Sequence, residues 1–147
     1  MDFIEVIELV MNYLIPDFEY DLIEDDYCYC NHEDSVIAMN YEDAIYNESA
    51  FMEFAESIYP RAKEFSVVLW SLLHECGHSS EEDVDLNDML LRAMLNVADI
   101  SDNVSAAYFR LPREREATVW AANFISENYE KCKTANDIIN DWIERNM

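Results

Sequence analysis

Apolar residues in the first half of the chain recur three and four positions apart, the spacing that places them on one face of a helix. This spacing predicts a helix over residues 2–14, which ends at Pro16 because a proline disfavours helical geometry in the residue before it. The same spacing predicts helical structure over residues 42–58, with a break near Asn47. Residues 65–78 predict a more apolar helix, which we expect to be buried.

Three further helices are predicted in the second half of the chain. The acidic run at residues 79–83 is expected to cap a helix whose apolar stripe falls within residues 86–97. Another helix is expected to start near Arg113. The sequence Thr134-x-x-Asp137 is expected to cap the last one.

The sequence predicts fewer strands than helices. Residues 35–40 have β-branched and apolar character between polar flanks, which predicts a strand, and residues 27–30 are expected to form a shorter one. One glycine and three prolines leave few turns, so the chain should be largely helical. We therefore expect a single α+β domain over residues 1–147, mostly helical with a short sheet.

The charge is strongly negative and unevenly distributed. The formal net charge is -23, and residues 1–60 contain 16 acidic residues and no lysine or arginine. Such a surface repels nucleic acid and anionic membranes and attracts basic partners. We therefore expect no direct nucleic-acid partner and no membrane partner, although acidity of this kind also serves solubility alone.

The N-terminal sequence and the cysteines indicate a cytoplasmic protein. The first residues lack the basic segment of a signal peptide, and no apolar run approaches 18 residues. The four cysteines do not form the pattern of a disulfide framework in a chain of this length, so we expect all of them to be reduced.

His32 is expected to be a surface residue rather than a ligand.

The apolar helix over residues 65–78 ends in H-E-C-G-H, an instance of H-E-x-x-H. In this pattern two histidines one helical turn apart ligate a zinc ion. His74 and His78 lie on the same helix face, because residues four apart are neighbours there. Glu75 lies about 100° around the helix from His74, near the ion and placed to act as a general base.

The only glycine of the chain, Gly77, falls inside this motif. Glycine in a helix costs about 1 kcal/mol relative to alanine, so we expect another part of the structure to approach closely at this position. Pro60 is expected to occupy the first turn of the motif helix.

A catalytic zinc site uses three protein ligands, so two histidines are not sufficient. The candidates for the third lie at the start of the helix that begins near Arg113. Glu114 lies roughly 50° from the centre of the apolar stripe of that helix, and Glu116 roughly 110° from it. Glu114 is thus predicted to point inward and to be the ligand, with Glu116 as the alternative. Both glutamates would also favour a helix N-terminus electrostatically.

H-E-C-G-H followed by E-x-x-A-x-x-W-A resembles the motifs of the ImmA/IrrE-type zinc metallopeptidases. This family occurs in bacteria, mobile elements and phages, where members cleave transcriptional repressors. The resemblance extends from the motif helix to Phe124. Thr118 departs from it, because the family commonly has asparagine or aspartate there, and a hydrogen bond that orients a metal ligand is expected to be weaker.

The resemblance implies a metal site and a fold. His74, His78 and Glu114 would ligate Zn²⁺, and Glu75 would be the catalytic base. The fold implied is a compact zincin-like domain with a short β-sheet packed on the H-E-x-x-H helix. In zinc peptidases a strand edge beside the site commonly holds the substrate backbone, and strand 35–40 is expected to have that role.

The function expected on this basis is that of a zinc-dependent endopeptidase (a hydrolase) which cleaves a regulatory protein such as a DNA-binding repressor. The acidic surface favours a basic protein substrate. Tyr108, in a predicted loop over residues 99–112, is the candidate for a second donor to the oxyanion. One alternative is an acidic DNA-mimic protein that sequesters a basic partner and has a structural or vestigial metal site. Another is a metal-dependent hydrolase of small amides.

Overall fold

The computed structural model describes residues 1–80, 109 and 111–147. In these residues, six α-helices and a three-stranded sheet form a mostly helical α+β structure, as predicted. The helices are α1 (Phe3–Leu14), α2 (Tyr41–Tyr46), α3 (Glu48–Ile58), α4 (Val67–Ser79), α5 (Pro112–Glu127) and α6 (Tyr129–Asn146), and the strands are β1 (Asp21–Glu24), β2 (Tyr29–Asn31) and β3 (Val36–Met39). The predicted helix over 86–97 and most of the predicted loop over 99–112 lie outside the described residues.

The first-half helix predictions are confirmed. Helix α1 matches the predicted range, and α2 and α3 together match the predicted helical stretch with its break at Asn47. The Asn47 side chain donates to the backbone oxygen of Asp43 at 3.0 Å, which satisfies a carbonyl at the end of α2. Helix α5 begins at Pro112, one residue before the predicted start, in the position where proline is favoured.

The predicted start of the last helix is wrong. Helix α6 begins at Tyr129, and Thr134 lies within it, where its hydroxyl donates to the backbone oxygen of Glu130 at 3.3 Å. The break between α5 and α6 falls at Asn128, which has φ −128° and ψ 38°. The Asn128 side chain and backbone N–H both donate to the Phe124 carbonyl, so one residue ends α5 without glycine or proline.

The sheet has the order β1-β3-β2, with β1 parallel and β2 antiparallel to β3. The predicted strand over 35–40 is confirmed as β3. The strand predicted over 27–30 is displaced towards the C-terminus as β2, and β1 was not predicted. Because β3 is central and paired on both sides, it has no open edge, so the prediction that it holds substrate by strand addition is wrong. Helix α4 packs against β2 and β3.

The start of α4 is held by side chains from other elements. Ser66 is the N-cap, and its hydroxyl oxygen accepts the backbone N–H of Val68 at 3.0 Å. The side-chain oxygen of Asn136, on α6, accepts the Ser66 N–H at 2.7 Å. Pro60 lies before a short 3₁₀ turn (Ala62–Glu64), so the prediction that it belongs to the first turn of this helix is wrong. Proline here precedes a separate turn rather than opening the helix.

Helix α4 is buried on every side, as its sequence predicts. All residues from 67 to 78 are buried, between the sheet on one side and α2, α3, α5 and α6 on the others. Helices α1 and α6 pack together beside it, where Phe3 and Trp142 approach to 5.4 Å between ring centroids. Within the described residues, no helix combines the length and apolar character needed to cross a membrane.

All four cysteines lie in the described part of the chain, and none forms a disulfide bond, as predicted. Burial raises the pKa of the Cys28 thiol to about 12 and that of the Cys132 thiol to about 11. Both side chains are therefore protonated thiols at neutral pH and poor nucleophiles.

The predicted close approach at Gly77 is made by α5. A β-carbon on residue 77 would lie 2.7 Å from the backbone oxygen of Ala117 and 2.9 Å from its Cα. Real β-carbons do not approach backbone atoms this closely, so only glycine permits the observed separation of α4 and α5.

Replacing Gly77 with alanine should therefore destabilise the fold, although alanine is the better helix former. We expect a loss of about 1–3 kcal/mol in the free energy of unfolding, the usual cost of overpacking, measured by urea denaturation. The double variant with Ala117→Gly should not recover the loss, because the added methyl group meets backbone atoms. An unchanged or higher stability of Gly77→Ala would contradict this interpretation.

Candidate metal centre

Three buried side chains meet between α4 and α5. His74 and His78 lie one turn apart on α4, and Glu114 reaches them from the first turn of α5. One ligand atom from each of the three residues lies within 4.8 Å of the others. The two histidines lie together because they are four residues apart on one helix. Glu114 lies beside them because α5 packs against α4.

The ligand atoms face one another at short range. His78 Nε2 lies 2.8 Å from Glu114 Oε2, and His74 Nε2 lies 3.2 Å from Glu114 Oε1. The two histidine Nε2 atoms are 3.2 Å apart. Two imidazole nitrogens and a carboxylate that converge in a buried site form a donor set suited to a divalent cation. The cluster can therefore hold a metal ion, although the donor set alone does not select one metal.

The Glu114 carboxylate is 1% exposed, so its charge must be compensated inside the protein. Burial by itself raises the pKa of this carboxyl, but hydrogen bonds and charge interactions with His74 and His78 outweigh burial and hold its pKa well below the usual range. Glu114 is thus ionised, which is the form that ligates a metal.

Thr118 orients His74. Its oxygen lies 2.9 Å from His74 Nδ1, and its hydroxyl donates to the backbone oxygen of Glu114 at 3.1 Å. Because the hydroxyl hydrogen is used in that bond, the oxygen accepts a hydrogen bond from the Nδ1–H of His74. His74 then carries a proton on Nδ1, and Nε2, which faces Glu114, is the nitrogen that would bind a metal. The hydrogen bond that the sequence predicts to be weaker is therefore present.

The structure separates the two glutamates proposed as third ligand. Glu114 lies inside the cluster, whereas Glu116 is exposed on the other side of α5. This is the arrangement that the angular positions of the two residues predict. His32 also lies at the surface, where its Nδ1 is 3.0 Å from the hydroxyl of Tyr20. Tyr108, the proposed oxyanion donor, lies outside the described residues.

The cluster opens into a cleft of about 260 Å³. Its walls combine residues of α4, the α2–α3 region, the segment before β2 and the start of α5. The described lining residues are Tyr27, Cys28, Asp43, Ala44, Asn47, Phe51, Ser71, His74, Glu75, Phe109 and Glu114. Glu75 is buried at this wall beside His74, which places a carboxylate next to the cluster as the motif predicts.

Two aromatic rings enclose His74. The Phe51 ring lies edge-to-face with it at 5.3 Å between centroids, and Phe109 lies 4.9 Å from Phe51. These rings lower the local polarity and strengthen electrostatic interactions in the cleft. Phe51 belongs to the predicted helical stretch over residues 42–58, and its apolar position there gives no sign that this part of the core borders a cleft.

No family model, curated protein or solved structure matches this chain. The functional interpretation therefore rests on the two motifs and on the geometry of the cleft.

The Thr118→Val variant should weaken zinc binding about 10–100-fold, because valine keeps the side-chain shape but cannot accept the hydrogen bond from His74 Nδ1. Affinity would be measured by competition with a chromophoric chelator. Thr118→Ser should retain most of the affinity. Thr134→Val is a matched control, since Thr134 makes the same bond to a carbonyl four residues earlier but lies exposed on α6. Equal zinc affinities of the two valine variants would exclude an orienting role for Thr118.

Glu114→Gln should lower zinc affinity by on the order of a hundredfold, because a binding free energy of about 10–16 kcal/mol is shared among only a few ligands. Glu116→Gln, which removes the same charge from the exposed side of α5, should leave one zinc per chain. Metal content would be measured on protein purified without chelators or metal-affinity resin. Loss of zinc from Glu116→Gln, with retention by Glu114→Gln, would reverse the assignment.

Proposed function

We propose that this chain is a zinc-dependent endopeptidase resembling the ImmA/IrrE type. The observation that carries the proposal is the buried His74, His78 and Glu114 cluster, which opens with Glu75 onto one cleft. A short sheet against the motif helix agrees with the zincin-like arrangement that the resemblance implies. His74, His78 and Glu114 would hold the zinc, and the ion would acidify a water molecule and polarise a peptide carbonyl.

In this proposal Glu75 is the general base. Its carboxylate lies at the cleft wall, one residue from His74, and takes a proton from the water that attacks the peptide carbonyl. Glu75 then returns that proton to the amine that leaves when the C–N bond breaks. Phe51 and Phe109 limit access of bulk water to this part of the cleft. We retain Tyr108 as the proposed second donor to the oxyanion.

The substrate we propose is a basic regulatory protein, such as a transcriptional repressor, in the cytoplasm. The support is the charge of the chain. Residues 1–60 contain 16 acidic residues and no lysine or arginine, and many of these acids are exposed on α1, the sheet and α3. Such a surface attracts a basic protein over long distances and thereby raises its rate of encounter.

The same acidic surface supports the alternative function of a binding protein that occupies the nucleic-acid site of a basic partner. A surface that only mimics DNA needs neither a glutamate beside the metal ligands nor a cleft that reaches them. Both features are present here, and they favour the peptidase.

Glu75→Gln should abolish cleavage while zinc binding is kept, because glutamine preserves the shape of the side chain but cannot accept a proton. Proton transfer by a positioned base contributes about 10²–10⁴-fold to a rate. Zinc-loaded protein would be incubated with a random-sequence peptide library, and the cleavage products read by mass spectrometry. Glu53→Gln, an exposed change on α3, is the matched control. Cleavage by Glu75→Gln at the wild-type rate would exclude this role for Glu75.

A further inference from the structure

The charged residues that line the cleft, within the part of the chain that the structure describes, are all acidic: Asp43, Glu75 and Glu114. Glu114 belongs to the metal cluster, and Glu75 has a role as base. Asp43 has no part in the chemistry proposed above. It lies in the first turn of α2 and lines the cleft.

Asp43 is held in a fixed orientation. The backbone N–H of Cys28 donates to its Oδ2 at 2.9 Å, and the Asn47 side chain lies 3.3 Å from its Oδ1. The Cys28 thiol also interacts with this carboxylate. A carboxylate has about four acceptor positions, so these three contacts leave capacity for one further donor. Among the described residues, no lysine or arginine forms an ion pair with Asp43. The negative charge at this wall is therefore not neutralised by a nearby cation of the described chain.

Part of the wall is apolar, between polar lining residues such as Asn47 and Ser71. Ala44, Phe51 and Phe109 line the cleft beside Asp43, and aromatic faces attract cations as well as aliphatic chains. A volume of 260 Å³ corresponds to roughly nine water molecules at about 30 Å³ each, which suits one long side chain rather than a folded segment. Lysine and arginine side chains combine an aliphatic stem with a charged end, as this wall requires.

We propose that Asp43 is a specificity-determining residue that binds a lysine or arginine side chain of the substrate beside the bond to be cleaved. The inference rests on the proposed peptidase function and extends it from a basic protein to a basic residue at the cleavage site. The substrate stem lies against Ala44 and the two phenylalanines, and its cationic end donates hydrogen bonds to the Asp43 carboxylate.

The cleavage sites of a random-sequence peptide library test this assignment. Wild-type protein should cut next to lysine or arginine on the order of tenfold more often than next to norleucine or glutamine, and Asp43→Asn should remove most of that preference. The asparagine oxygen can still accept the Cys28 N–H, so the local fold is kept. Asp21→Asn, an exposed change on β1 with the same loss of charge, should retain the preference and controls for the net charge of the surface.

A second measurement needs no turnover. Titration with n-butylguanidinium and with the uncharged n-butylurea, followed by NMR on metal-free and zinc-loaded protein, compares two ligands of similar shape. n-Butylguanidinium should shift the NMR signals of Ala44 and Asn47. It should bind to Asp43→Asn at least threefold more weakly than to the wild type, whereas n-butylurea should bind equally to both proteins.

The outcomes separate the two proposals. Cleavage that depends on zinc and Glu75 but shows no basic preference, or a preference that survives Asp43→Asn, would overturn the role of Asp43 and leave the peptidase intact. Absence of cleavage by the wild type would overturn the peptidase, and the titration would then decide whether Asp43 binds a cation.

Discussion

The contact between α4 and α5 at Gly77 is the constraint on which the site depends. With no β-carbon there, the backbone of Ala117 can lie directly against α4. Glu114 and Thr118 lie on α5 on either side of Ala117, so the separation of the two helices determines how both side chains meet His74. The glycine lowers the stability of the helix, and it permits the short distances between Glu114 and the two histidines. A motif on one helix thereby becomes a three-residue site.

Burying the cluster of His74, His78 and Glu114 lowers the stability of the folded protein unless its charge is compensated. Glu114 is 1% exposed, and two imidazoles point their ring nitrogens at it and at each other. Removing a carboxylate from water costs several kcal/mol unless a cation or protonated group compensates it. In the structure, His74 and His78 contact the carboxylate and provide that compensation. A divalent cation held by the three side chains would provide it directly, and the Thr118 hydrogen bond leaves His74 Nε2 on the side of Glu114. The buried cluster could therefore hold a cation.

Much of the site was predictable because it depends on local geometry. The four-residue spacing of His74 and His78 places them on one helix face in any environment. The inward position of Glu114 followed from its angle to the apolar stripe of α5, since a partly apolar helix turns that stripe to the core. The close approach at Gly77 was predictable from the cost of a helical glycine. The atoms that make the approach, those of Ala117, were not, because the packing of two helices is set by the whole core.

The features that were missed depend on contacts between distant parts of the chain. β3 is the central strand because it pairs with β1 as well as β2. Apolar and polar residues alternate irregularly between α1 and β3, so no local pattern there specifies this strand order. The residues that line the cleft depend even more on contacts between distant parts of the chain. Asp43 resembles any acidic residue in the first turn of a helix, where it favours the N-terminus. It becomes a cleft residue because the Cys28 N–H, 15 positions away, fixes its carboxylate, and because α2 packs across α4. The position of Asp43 at the cleft therefore depends on tertiary contacts, whereas the shared helix face of His74 and His78 depends on helix periodicity.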